Sequence, residues 1–356
     1  MYPSSPEQAI RERARALGFD ALGIARADLP LDVEFTRYES FLDAGMHGSM
    51  DWLGENREVR RRLDTADILE GARSVLCLAI RYGRPEGEAP PGSVAALVAR
   101  YARGQDYHNA IRKRLRKLAA FVRSLGEGVE ARPMIDTAPV LERAWAARSG
   151  LGFLGKNGLI IVPGQGSYLL LGEVVTTLAL PPGEPMAERC GSCTRCLDAC
   201  PTGAFPEPFV LDARRCISAL TIEHRGALDG TLRASLGEHL FGCDVCQEVC
   251  PFNRTRPAPP ERTHLFAPLP RWRQMTPEQL LDAADLDALR QGSPLHRCPP
   301  AELLRNALSV LVHRGARGAL PAIGRLAREH PEPWLRDHAR WAADALGGAL
   351  PPAGIV

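Results

Sequence analysis

Cys190-Gly-Ser-Cys-Thr-Arg-Cys-Leu-Asp-Ala-Cys-Pro201 decides how the rest of this chain is read. Its spacing, C-x2-C-x2-C-x3-C-P, lets three thiolates of one loop cap three irons of a cubane, while the fourth cysteine points away toward a neighbouring cluster. A second set, Cys216, Cys243, Cys246 and Cys250 with Pro251, repeats the ending and separates its first cysteine by a long insertion. Crossed ligation therefore gives one 4Fe-4S cluster on Cys190, Cys193, Cys196 and Cys250, and a second on Cys200, Cys216, Cys243 and Cys246. Paired four-cysteine zinc sites also use C-x2-C pairs, but three closely spaced cysteines followed by C-P, with the ending present twice, fit zinc poorly. Cys77, inside an apolar strand, reads as a core residue, and Cys298 stands alone.

Upstream, Pro181-Pro182-Gly183 marks a boundary, and the preceding residues alternate helix and strand patterns. Pro6 to Leu17 reads as a helix stopped by Gly18, Ala21 to Ala25 and Ser74 to Ile80 as strands, and Pro85 to Pro91 as a loop. Asp106 caps a long helix through Leu125 that puts Ile111, Leu115, Leu118 and Val122 on one face and basic residues on the other. Val129 to Ile135 is an expected strand, Pro139 to Arg148 a helix, and Leu159 to Val162 pairs with Tyr168 to Leu180 as a hairpin. The result is a mixed α/β domain over 1–182, a cluster module over 183–260, and a last part over 261–356. That last part starts with an extended Pro257 to Pro270 connection. It continues as helices at Ala301 to His313, Leu320 to His330 and Trp334 to Leu346, spaced like units of a helical repeat.

A charge of +2 over 356 residues identifies no polyanionic partner in bulk, so any nucleic-acid argument rests on local clusters. Met1 to Ile10 lacks the pattern of an export signal. The apolar run Leu159 to Leu180 is broken by Pro163-Gly164-Gln165-Gly166 and carries Glu173, unlike a membrane span. The expectation is a cytoplasmic protein with no membrane partner, acting as a monomer, where clustered cysteines serve metal rather than disulfides. No G-x-G-x-x-G fingerprint or P-loop is present. Asp106-Tyr107-His108 begins like a cobalamin-binding D-x-H-x-x-G motif, but Ile111 takes the glycine position, so no histidine ligand to cobalt is indicated.

With these motifs in view, the chain resembles the epoxyqueuosine reductases. The cysteine run extended to Ala204, Arg215-Cys-Ile-Ser-Ala-Leu-Thr221, Gly242-Cys-Asp-Val-Cys-Gln-Glu-Val-Cys-Pro251, Gly104-Gln-Asp-Tyr-His108, Asp136-Thr137 and Gly150-Leu-Gly-Phe-Leu-Gly-Lys-Asn157 carry the likeness. The resemblance implies an α/β (α+β), nitroreductase-like cobalamin-binding domain, a two-cluster ferredoxin-like module and a HEAT-like helical repeat. It implies the last step of queuosine formation: reduction of epoxyqueuosine at the wobble position of a tRNA by cobalamin fed from two 4Fe-4S clusters, with an unidentified electron donor.

By the same resemblance Asp136 is the proton donor; the bland alternative is an N-cap for the helix after Pro139. Gly155, Lys156 and Asn157 would touch the corrin, and Arg62, Arg100, Tyr101, Ser167, Ser218 and Thr221 are further cofactor candidates. For tRNA the candidates are Arg225, Arg305, Arg314, Arg317 and Arg336. A reductive dehalogenase-like enzyme and a non-catalytic electron carrier are the competing readings. The absent export signal and the terminal helices weigh against the former.

Overall fold

The computed structural model describes residues 5–83, 89–254 and 263–347. Most of the Pro85 to Pro91 loop and the start of the Pro257 to Pro270 connection lie outside these residues.

At the centre of the first part is an antiparallel sheet formed by β1 (Ala21–Arg26), β2 (Ser74–Arg81), β3 (Ala131–Met134) and β6 (Leu169–Thr176), in the order β1-β2-β6-β3. The register aligns Cys77 with Gly23 on one side and Glu173 on the other, and Glu173 with Met134 beyond it. Side chains of β2 are buried on both faces, which explains its unbroken apolar run. One face packs against the helices Pro6–Ala16 and Tyr107–Arg123 through Ile10, Ile111, Leu115, Leu118 and Val122. Asp106 caps the longer helix, its carboxylate accepting the His108 N–H at 3.0 Å. Against the other face lies the helix Glu142–Arg148, with Trp145 fully buried.

Two expectations change here. The segment around Leu159 does not form a hairpin with the strand that follows. Instead β4 (Phe153–Leu154) and β5 (Ile160–Ile161) make their own two-stranded ladder, while β6 crosses to β2 and β3. A gain in burial explains the difference, because β6 fills the centre of the large sheet with Val174 and Val175 at 0% exposure. The helix expected from Pro139 begins at Glu142, with Leu141 at the N-cap position and no side-chain cap.

The terminal helices are Pro300–His313, Leu320–Glu329 and Pro333–Ala345, close to their expected bounds. They do not form a separate core. One continuous apolar cluster joins Leu303, Leu308, Leu311, Ile323 and Leu335 to Val94, Leu97 and Val98 of the first part and to Leu240 and Phe241 of the cysteine segment. Gly242 is one point of close approach: at φ +74°, a Cβ there would stand 2.6 Å from Ala99 Cβ. Among the described residues no helix is long and apolar enough to cross a membrane.

Candidate active site and cluster ligands

Each cysteine run folds around a single helical turn, Arg195–Asp198 in the first and Val245–Glu248 in the second, and the two turns pack together. Cys250 leads into a short 3-10 turn, Pro251–Asn253, whereas Cys200 is followed by a simple turn. Cys216 stands at the N-cap position of the helix Ile217–Ile222. The thiols fall into two neighbourhoods. Burial and then proximity to other thiols raise the pKa of Cys196, which feels Cys250 and Cys193, and of Cys250, which feels Cys193. Cys190 is pushed up to about 11, burial leading, with Cys196 among its neighbours. In the second group burial leads again: Cys216 feels Cys200, Cys243 feels Cys216 and Cys200, and Cys246 feels Cys243 and Cys216, with a weaker contribution from Cys196 of the first group. Packing draws the same division. Cys250 and Cys190 share an apolar cluster with Phe153 and Ile161, while Cys243 packs with Ile217, Leu220 and Leu236. Four soft thiolates to a group are a donor set that suits iron–sulfur clusters. Cys77 and Cys298 are buried apart from both groups.

Asp136 lies at the end of β3, where three parts of the chain meet. Its Oδ2 is 2.7 Å from His108 Nε2 and accepts from Arg297 Nη1 at 3.1 Å. The other His108 ring nitrogen is 2.7 Å from Asp106 Oδ1, and the other Arg297 nitrogen donates to Glu223 at 3.2 Å. Glu142 accepts the Asp136 main-chain N–H at 2.8 Å. Burial tends to raise the Asp136 pKa, but the hydrogen bond to His108 and the Arg297 charge outweigh it and hold the carboxyl below its ordinary value. Burial likewise opposes the charge on His108, yet its two carboxylate partners raise it to about 9. Glu142, desolvated and facing the Asp136 charge, rises to about 7.

This geometry corrects two readings. Asp136 is not the cap of the following helix, since its carboxylate turns to His108 and Arg297. Nor does burial keep it protonated; in this arrangement the proton resides on His108. The sequence alone does not single out His108, Arg297, Glu223 and Glu142 as site residues. Only His108 carries a signal there, in the Asp106-Tyr-His108 motif.

The cofactor candidates divide into groups. Arg100 donates its main-chain N–H to Asp244 at 2.7 Å and a side-chain N–H to Glu248 at 3.2 Å, with its guanidinium 5.2 Å from the Tyr168 ring centre. Tyr101 joins the aromatic group of Tyr82, Tyr107 and Phe241. The Ser167 hydroxyl donates to Gln247 at 3.1 Å. These three therefore gather around the second cysteine run. Gly155, Lys156 and Asn157 form a turn beside the first: Lys156 Nζ donates to the Gly191 carbonyl at 2.5 Å, and a Cβ on Gly155 would meet Ile161 and the Asn157 side chain. Thr221 is fully buried, accepting the Gly242 N–H at 2.9 Å and donating to the Ile217 carbonyl, so it serves the fold. Ser218, one turn before, contributes its carbonyl to Thr221 at 3.3 Å. Arg62 is held in a two-point pair with Asp64 at 2.8 Å, outside both groups.

Among the tRNA candidates, Arg305 is corrected outright. It is 0% exposed and donates to the carbonyls of Leu220, His224 and Gly226, beside Asn306, which donates to Thr221 and Leu240. Arg314 is paired with Glu238, Arg336 bonds the His330 carbonyl, and Arg225 bonds that of Ile222. Arg317 is exposed.

An α/β domain joined to a double set of cluster thiolates, with a charged acid–base group between them, defines an iron–sulfur oxidoreductase. Residues 189–253 match the 4Fe-4S double cluster binding domain, and residues 62–137 match the family described as "Epoxyqueuosine reductase QueG, DUF1730". The epoxyqueuosine reductase of Gloeobacter violaceus is 42% identical over 327 residues, covering 89% of this chain and 98% of that protein. That of Escherichia coli is 34% identical over 94% of this chain and 88% of its own length. An epoxyqueuosine reductase solved with an epoxyqueuosine-modified tRNA-Tyr stem loop superposes with a TM-score of 0.86 at 32% identity, covering 96% of this chain and 90% of that one. The Bacillus subtilis enzyme, solved with an aspartate-bearing catalytic loop swung out of the active site, superposes at 0.85 with 31% identity, over 96% and 90% of the two chains. This chain belongs to the epoxyqueuosine reductase family and is an oxidoreductase.

Proposed function

We propose that this chain reduces epoxyqueuosine at the wobble position of tRNA to queuosine, with Asp136 and His108 managing the proton. Family membership supports the reaction. The observation that carries the residue assignment is the Asp106–His108–Asp136–Arg297 network, which stands next to the cysteine module. Cys190, Cys193, Cys196 and Cys250 are proposed to hold one cluster, and Cys200, Cys216, Cys243 and Cys246 the other.

The residues present fit a corrin bound without a protein ligand to cobalt. Both ring nitrogens of His108 are engaged by carboxylates, leaving none for a metal. Asn157 Nδ2 and the Tyr168 hydroxyl are buried with no hydrogen-bond partner among the described residues, which suits donors meant for corrin amides. Lys156, Asn157, Arg100, Tyr101 and Ser167 would line that space. When bound, reduced cobalamin supplies a strong nucleophile and electron donor toward the epoxide, recharged through the two clusters.

Opening the epoxide leaves an alkoxide-like oxygen that needs a proton in a site shielded from water. His108 holds that proton between two carboxylates, and Asp136, the one of the two that also meets Arg297, is placed to hand it on. Arg297 offsets the negative charge left on Asp136. Substrate, electron donor and chain would meet in the cytoplasm, with the enzyme acting as a monomer. Nitroreductase-like ancestry for 1–182, a ferredoxin-like module over 183–260 and a HEAT-like repeat within 261–356 complete the proposal.

Asp136→Asn keeps the shape but cannot pass a proton. Single-turnover reduction of epoxyqueuosine tRNA is expected to slow roughly 100- to 10,000-fold, with both clusters and corrin retained. A fully active Asn variant removes Asp136 from the chemistry.

A further inference from the structure

The helix Tyr107–Arg123 carries six Lys and Arg residues and no Asp or Glu, in a chain whose net charge is only +2. Two of the six are spent internally: Arg114 donates to the Leu17 carbonyl and Arg123 to that of Ala131. The remaining four, Arg112, Lys113, Arg116 and Lys117, line one shallow depression together with Asn109 and Ala120. Among the described residues none of these four forms an ion pair, whereas most arginines proposed for RNA on the terminal helices are already engaged. Unpaired like charges on one helix face repel each other, a cost with no structural return.

The stripe is also placed with respect to the site. His108 precedes Arg112 by one helical turn, and Arg112 and Arg116 line a second depression with Arg132, Ile135 and Thr137, the latter two flanking Asp136. Resting on the tRNA reading above, we propose that Arg112, Lys113, Arg116 and Lys117 form a phosphate-binding surface for the anticodon stem of the substrate tRNA. The stripe spans roughly 8 Å from Arg112 to Lys117 at 1.5 Å per residue, room for a few successive phosphates. Base identity is not read there; the four cations set the register that brings the modified nucleoside to Asp136.

The test is a variant with Arg112, Lys113, Arg116 and Lys117 all changed to Gln, which keeps helix propensity on an exposed face. Reconstituted enzyme is titrated with an anticodon stem loop carrying epoxyqueuosine at several salt concentrations. The expected result is a Kd at least about tenfold weaker at low salt, and a salt slope shallower by about one for each phosphate no longer neutralised, with the visible spectrum unchanged. Unchanged affinity and slope overturn the proposal. So does normal tRNA binding with slowed reduction by an acidic redox protein, which would assign the stripe to the electron donor. Failure of the unaltered enzyme to bind the stem loop would instead overturn the tRNA reading itself.

Discussion

One imidazole between two carboxylates gives the site a defined pH signature. His108 has its folded pKa raised to about 9, above the roughly 6.5 of an unfolded histidine. Its pairing therefore stabilises the protein fully below about pH 6.5 and ceases to do so as pH climbs through about 9. Asp136 has the opposite sign: its lowered pKa contributes above the ordinary carboxylate range and is lost in acid. His108→Gln is expected to lower stability by up to about 3 kcal/mol at pH 6 and by little at pH 10, read from denaturant melts across that range. A gap that stays constant with pH would show that the histidine pairs with neither carboxylate. The sequence shows Asp136 and the Asp106-Tyr-His108 motif separately, but not that they join or that Arg297 completes the network. The partners of Asp136 lie 28 and 161 residues away along the chain, and only the fold brings His108 and Arg297 to it. Asp-Thr-x-Pro looks like a helix start because local chemistry is all a single sequence displays.

Among the elements, those with strong periodicity are the legible ones. The helices Tyr107–Arg123 and Pro333–Ala345 bury residues at helical spacing, so their faces announce themselves, whereas Pro300–His313 is buried on all sides from Glu302 to Leu311. The expected hairpin does not form because two apolar runs near in sequence do not reveal which distant strand either will pair with, and β6 has two long-range partners. In the cysteine module the fixed spacings carry most of the information, since cluster geometry tolerates few alternatives. The shared packing of Cys250 with Cys190 gives the module its sharpest test. Cys250→Ser is expected to reduce iron content and remove the spectroscopic signal of the cluster on Cys190, Cys193 and Cys196, leaving the other. Loss confined to the cluster on Cys216, Cys243 and Cys246 would refute that pairing.

At the scale of the whole molecule, the terminal helices are part of the main core rather than an appended arm. Gly and Pro breaks in the sequence suggest a repeat, but not that Arg305, a charged residue on a helix, faces inward. It does so because three carbonyls around the end of the helix Ile217–Ile222 need donors, and one guanidinium reaches all of them. Arg305→Ala leaves those acceptors buried and unmatched. It is expected to cost about 2–5 kcal/mol in a thermal or denaturant melt, far more than an exposed arginine would. An Arg305→Ala protein as stable as the parent would mean that water reaches those carbonyls after all.

The order in which the chain is made gives that arrangement a further meaning. All eight cluster cysteines have been synthesised by residue 250, yet the segment between Cys216 and Cys243 still lacks Arg305 and Asn306, some fifty positions from emerging. A nascent chain halted there would already have Phe153 and Ile161 to pack against Cys190 and Cys250, but the stretch from Cys216 to Cys243 would lack the donors that tie down its carbonyls. On the proposed ligation, the cluster of Cys200, Cys216, Cys243 and Cys246 thus waits on a stretch of protein that donates no ligand to it, and its iron is best delivered to a finished chain rather than a growing one.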